Sequence, residues 1–210
     1  MGRIRYPFGT ALPFLSDTAK FGGTANYTEF EDDGTMVKRG DATVFNDSQV
    51  PPTVFRTGGT SLVLAELTTG IYAHRFDHSD VIHFNVQFPH SMKLNSTIKP
   101  HIHLANKTAI VGAASITFTF TWTWANINSS FPATNDSTKI ISFADAPALT
   151  HKLLSFDAIT PVTGQGGLSS ILIGLLTRVQ TGYETANIFH MGFDIHYEID
   201  TLGSRQEFIK

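Results

Sequence analysis

Residues 115–124 read SITFTFTWTW, in which Ile116, Phe118, Phe120, Trp122 and Trp124 alternate without a break with Ser115, Thr117, Thr119, Thr121 and Thr123. A period of two puts the large apolar side chains on one face of an extended chain and the hydroxyls on the other, the pattern of a strand covered on one side. Threonine and aromatic side chains both suit a pleated surface. The same alternation recurs in 81–88, with Ile82, Phe84, Val86 and Phe88 against His83, Asn85 and Gln87, and again in 188–199. Segments 62–76, 98–104, 139–143, 151–156 and 168–179 bring the expected number of strands to about eight. Only 171–176 is apolar throughout, which fits a central strand covered on both faces or a short buried helix. Strands without helices alternating between them predict an all-β fold, an antiparallel two-sheet sandwich of jelly-roll type. An immunoglobulin-like sandwich is the rival, disfavoured by the absent cysteine pair and by the length of the strand-rich region.

Before residue 59 the periodicity stops. Glycines and prolines (Gly9, Pro13, Gly22, Gly23, Gly34, Gly40, Pro51, Pro52, Gly58, Gly59) interrupt the chain, yet it carries Phe8, Phe14, Leu15, Phe21, Phe30, Phe45 and Phe55. Disordered tails are poor in aromatics, so these rings are expected to bury against a surface. The division that follows is an extended N-terminal arm over 1–58, with a short hairpin near 36–45, and a jelly-roll domain over 59–210. The arm is expected to pack on a neighbouring subunit, the alternative being that it wraps its own domain.

Composition narrows the function classes. Charged residues make up 16% of the 210-residue chain and the net charge is −3, which provides no field for recruiting nucleic acid. No cysteine is present, so disulfides, thiolate metal sites and cysteine nucleophiles are excluded together. Residues 1–11 show Arg3 and Arg5 but then Pro7 and Gly9 in place of an apolar run, so no secretory leader is expected; no apolar stretch is long enough for a membrane helix. Six Asn-x-Ser/Thr triplets, at Asn26, Asn46, Asn95, Asn106, Asn128 and Asn135, are read as chance in an Asn- and Thr-rich chain synthesised in a cytoplasm. The 17 Phe against 5 Tyr and 2 Trp favour dry interiors and buried subunit contacts over ligand grooves.

The nine histidines are the one constellation that invites chemistry. His101 and His103 in KPHIHLANK are two apart, so on a strand both imidazoles point to one face and can share a metal, as in jelly-roll cupins. The cupin pattern continues with a glutamate, whereas Leu104, Ala105, Asn106 and Lys107 follow here, and the lysine disfavours a dication. In the last long segment His190, Asp194, His196 and Glu198 fall on one face, and Phe189, Met191, Phe193, Ile195, Tyr197 and Ile199 on the other. If the two strands were neighbours, His101, His103, His190 and His196 could converge; the simpler reading is an outward polar stripe, so no metal, cofactor or catalytic residue is assigned. His83 and His90, before and after Pro89, sit at the end of a strand and read as loop or edge residues. Neither a Gly-x-Ser-x-Gly turn nor a phosphate loop occurs; GQGG at 164–167 reads as a turn, and Asp32 and Asp33 as a solvated turn.

Four phrases in order, GDATVFND (40–47), FPH (88–90) leading to KPHIHL (99–104), TWTWANINSSFPAT (121–134) and GFDIHYEIDTLGSRQE (192–207), resemble a family of tailed-bacteriophage virion structural proteins across residues 34–210. In that family the HxH element commonly continues into an aromatic residue, where this chain has Leu104. The resemblance implies a β-rich, oligomeric, non-enzymatic particle component, such as a capsid decoration, head fibre base, collar or connector protein. Its expected partners are copies of itself, a trimer by analogy with other viral jelly rolls, and other virion proteins, with neither nucleic acid nor membrane among them. A receptor or carbohydrate-binding virion domain and a cupin-like metalloenzyme using the His-x-His pair are the competing expectations.

Overall fold

Thirteen strands run through the described residues: β1 (Ala19–Gly22), β2 (Tyr27–Phe30), β3 (Met36–Arg39), β4 (Val44–Val50), β5 (Val63–Thr68), β6 (Ile71–Arg75), β7 (Val81–Gln87), β8 (Lys99–Asn106), β9 (Ser115–Ala125), β10 (Asn135–Ser142), β11 (His151–Ser155), β12 (Ile171–Val179) and β13 (Ile188–Ile199). The structure is a computed structural model and describes residues 19–31, 34–50, 62–179, 187–204 and 207. Phe8, Phe14, Leu15, Asp32, Asp33, Pro51, Pro52, Phe55, Gly58 and Gly59 lie outside those residues. The only helical element among them is one 3₁₀ turn, Gly40–Ala42.

The connectivity is that of a jelly roll. β6 pairs with β13, β7 with β12, β8 with β11 and β9 with β10, every pair antiparallel. The chain from β6 to β13 is therefore one long hairpin folded over on itself, its successive rungs falling alternately into two sheets. One sheet has the order β10-β9-β12-β7; the other runs β11-β8-β13-β6-β5, with β4 also lying along β13. This is the two-sheet sandwich expected from the alternation, with jelly-roll rather than immunoglobulin connectivity.

Between the sheets lies a phenylalanine core. Phe118, Phe120 and Trp124 of β9 are fully buried, and Trp122 packs against the same cluster from a partly buried position. Phe84 stacks on Phe120 with ring centroids 5.8 Å apart and meets Phe193 at 4.5 Å, while Phe88 contacts Trp124 at 5.0 Å. Each such ring stabilises the fold by roughly 1.5–3 kcal/mol through burial. In a chain without cysteine, this burial together with the strand ladders does the work that disulfides do in small secreted domains.

The apolar run 171–176 forms most of β12, a central strand flanked by β9 and β7, as expected. Only one of its faces is covered, which corrects the reading of two buried faces: Leu172 and Leu176 are fully buried, whereas Ile171 and Ile173 are exposed. In a two-layer sandwich even a central strand has one face toward solvent. Gly174 lies on the inner face, where an added Cβ would run into the ring of Phe84 and come within 2.9 Å of Phe120 Cε2.

Within the stretch expected to be an irregular arm, β1, β2 and β3 form a three-stranded antiparallel sheet. A hairpin joins β2 and β3, whereas 36–45, the span expected to form one, holds β3, the 3₁₀ turn and the start of β4, with β3 paired to β2 and β4 to β13. Strands of four residues are too short to display a readable period. This small sheet is tied to the end of β13 by the Lys38 amide, which donates to the Asp200 carbonyl (2.6 Å), and by a Val37–Thr201 bridge. β4, also from that stretch, pairs with β13 from Val44–Ile199 to Val50–Phe193.

Gly174→Ala should therefore lower the unfolding free energy by about 1–3 kcal/mol through overpacking. Urea denaturation monitored by tryptophan fluorescence measures this, and an unchanged midpoint would contradict the packing described.

Candidate functional site

β13 is the strand that brings the histidines together. It runs antiparallel to β8 with Asp194 opposite His101, His196 opposite Lys99 and Gly192 opposite His103. Opposed residues share a face, so His101, His103, Asp194 and His196 project together from the sheet, away from the core side occupied by Ile102, Leu104, Phe193 and Ile195. The sequence pattern placed the two strands' polar residues correctly, and the register supplies their adjacency.

His190 is the exception. The ladder shifts between His190 and Gly192, so two residues of β13 are accommodated where β8 advances by one. This reverses the inside-outside parity of β13. Ile188 and His190 turn to the core face, where His190 meets Phe76 edge to face at 6.4 Å, while Phe189 packs with Leu67 and Ala105 on the other side. Met191, at the bulge, is exposed. The expectation that His190 shares a face with Asp194, His196 and Glu198 is thus corrected, as is the inward placement of Phe189 and Met191; period-two counting fails across an extra residue. Glu198 is engaged elsewhere, accepting from Lys93 Nζ (2.7 Å) and the Thr43 hydroxyl (3.1 Å).

The outward-facing groups form a continuous row over four strands. His151 on β11 meets His103, Nε2 to Nδ1, at 2.8 Å, with the rings stacked. His103 Nε2 and His101 Nε2 lie 3.4 Å and 2.7 Å from the same oxygen, Asp194 Oδ1. The His101 ring stands against that of His196 at 4.3 Å, and His196 Nε2 reaches Asp47 Oδ1 of β4 at 2.7 Å. His101 and Asp194 are buried and His103 half-buried. Burial depresses the pKa of His101; the nearby Asp194 carboxylate opposes that shift, and His196 and His103 add to it. Lys107, expected to oppose a dication, sends its Nζ to the Glu66 carbonyl at 2.5 Å.

Beside this row, a groove of about 830 Å³ is lined in part by His103, His151, Asp194, Gln49, Tyr72 and Met191. Beyond it the β5–β6 hairpin ends the sheet, and Val63, Leu64, Ile71 and Tyr72 are each more than half exposed. Phe21 and Phe30 form an edge-to-face pair at 6.2 Å on the small sheet, with both rings exposed. The remaining expected residues fall away from the row. His83 lies within β7, an edge strand, and His90 is held between Ser204 (2.6 Å) and Ser169 (2.9 Å). The GQGG stretch is a turn in which Gly164 and Gly166 take positive φ. Sequence reading passed over His151 and Asp47; each occupies an alternating position in its strand, but only the ladder shows what it meets.

No protein-family model matches the chain, and no curated protein matches it. Among solved structures it is similar to a carbohydrate-binding module specific for non-crystalline cellulose, at 13% identity and a TM-score of 0.33, over 69% of this chain and 81% of the module. The enzymatically active domain of tailspike protein 4 of bacteriophage CBA120 is similar at 11% identity and a TM-score of 0.30, over 74% of this chain and 19% of that one. A family 11 carbohydrate-binding module from Clostridium thermocellum, in complex with a mixed-linked tetrasaccharide, is similar at 14% identity and a TM-score of 0.22, over 79% of this chain and 86% of the module. Likeness of this degree leaves function to be argued from the chain's own surfaces.

His190 generates a prediction about acid stability. Burial, reinforced by His74 and His103, pushes its pKa down to about 4 from 6.5. Because the folded state binds the proton less well than the unfolded state, this contribution is fully present above pH ~6.5 and is lost as the pH falls through about 4, amounting to about 3 kcal/mol. In His190→Gln the unfolding free energy should decline less steeply over that interval, as measured by urea titrations at successive pH values.

Proposed function

We propose that the chain is a non-enzymatic structural component of a tailed-phage particle, acting through association with copies of itself and with neighbouring virion proteins. The observation that carries this reading is the β5–β6 hairpin. It ends a sheet with an edge unpaired among the described strands and presents Val63, Leu64, Ile71 and Tyr72 to solvent. Exposed, apolar sheet edges template association unless they are blunted, and contiguous apolar patches of this kind mark interaction surfaces. The exposed Phe21–Phe30 pair on the N-terminal sheet adds a second apolar surface. The ordered phrases resembling phage virion proteins supply the biological setting: assembly in a host cytoplasm, residence in the virion, and capsid or connector proteins as neighbours, with no role for nucleic acid or membrane.

A closed cyclic assembly, a trimer first, would cover these edges while leaving no open-ended growth. The carbohydrate-binding alternative lacks its usual platform, since Trp124 is in the core and Trp122 is packed against it. Tyr72 is the exposed aromatic that lines the groove among the described residues.

The full chain should sediment as a discrete oligomer at micromolar concentration. Leu64→Lys combined with Ile71→Lys should shift it to monomer without altering its circular dichroism. A wild-type chain that stays monomeric at high concentration and is absent from reconstructed particles would refute the proposal, and specific glycan capture abolished by Tyr72→Ala would favour the carbohydrate reading instead.

A further inference from the structure

The geometry points to a binding site for one divalent late first-row transition ion, of which Zn²⁺ is the reference case, formed by His101 Nε2, His103 Nε2 and Asp194 Oδ1 on the outer face of the β8–β13 ladder. One ligand atom from each of the three residues lies within 4.8 Å of the other two. Two donors held at about 2.0–2.2 Å from one ion stand roughly 2.7–3.5 Å apart when the angle between them is about 80–110°. The 2.7 Å and 3.4 Å separations from Asp194 Oδ1 to the two imidazole nitrogens fall within that interval.

A second observation separates this cluster from an ordinary polar stripe. Asp194 is 8% exposed, and its Oδ1 is buried without a hydrogen bond, so the close approaches of the two imidazoles lack hydrogen-bond direction. Leaving a buried carboxylate oxygen without a hydrogen bond is costly. A cation bound at the point toward which the three groups converge removes that cost. The donor set of two imidazoles and one carboxylate suits Zn²⁺ and its neighbours better than Mg²⁺ or Ca²⁺, which prefer all-oxygen cages.

The surroundings hold the ligands in the required form. His101 is buried, with its ring set against those of His103 at 5.1 Å and His196 at 4.3 Å. His151 engages Nδ1 of His103 at 2.8 Å; with that nitrogen as the donor, Nε2 carries the lone pair. Three protein ligands leave a position for water, or for a group from another molecule, on the side where His103 and Asp194 line the groove. The inference stands apart from the assembly proposal, because the ligands belong to a single chain.

Protein purified without a histidine tag and stripped with chelator should take up one equivalent of Zn²⁺ by calorimetry. Co²⁺ should produce the visible d–d bands of a nitrogen- and oxygen-ligated ion. At a hundredfold excess of Zn²⁺ over Kd the melting temperature should rise by roughly 5–10 °C. Asp194→Asn and His101→Gln should each abolish stoichiometric uptake. His151→Phe, removing a positioning residue, should keep the stoichiometry and weaken affinity about 10–100-fold. His78→Gln, whose ring meets Ser79 instead, serves as the control that retains full binding. If the buried substitutions fail to fold, His103→Gln at the half-exposed ligand decides the matter. Folded wild-type protein that binds no Zn²⁺, or binding that survives both Asp194→Asn and His103→Gln, would overturn the inference.

Discussion

β13 hydrogen-bonds to β8 along one edge, and along the other first to β6 and then to β4. A twelve-residue strand with three partners holds its sheet together, and everything on that sheet takes its placement from the register of this ladder. The bulge next to Met191 lets one strand serve two demands. Before it, Ile188 and His190 face the core; after it, Phe193, Ile195 and Tyr197 do, which sends Asp194 and His196 outward beside His101 and His103. In an unbulged strand with Phe193, Ile195 and Tyr197 inward, Phe189 and Met191 would face the core and Ile188 and His190 would face outward, so the bulge is what exchanges them.

The same sheet carries the protein's two unusual surfaces. Because β4 takes over β13's edge beyond β6, the β5–β6 hairpin continues the sheet on the other half and exposes its apolar side chains. The histidine row and the apolar hairpin meet at the groove, whose lining includes His103 and Asp194 from one and Tyr72 from the other. Association at the hairpin would therefore bring a neighbouring copy close to the groove, so the two surfaces share a neighbourhood although each is argued on its own.

The interior shows how packing constrains individual choices. Stacked Phe84 and Phe120 lie over β12 so closely that position 174 has no space for a side chain. Large rings leaning in from the two flanking strands, β7 and β9, leave glycine as the residue that fits, which explains a glycine in the middle of a central strand, where it would otherwise weaken the sheet. The outer face of the same strand leaves Ile171 and Ile173 exposed.

Much of this architecture is legible in the amino-acid order. Alternation at 115–124, 81–88 and 188–199 located β9, β7 and β13, and the run of strands without helices led to an antiparallel sandwich, because side-chain period is a local property of an extended chain. The His-x-His pair and the polar side of β13 were equally visible. Three things belonged to the tertiary structure. The bulge that moved His190 to the core, the short strands β1 to β3, and the meeting of His101 and His103 with Asp194, flanked by His151 and Asp47, all depend on which strands pair and in what register. Pairing partners are chosen by the burial of the whole chain, and hydrophobic patterning reports which face a residue prefers, never which other strand that face will meet.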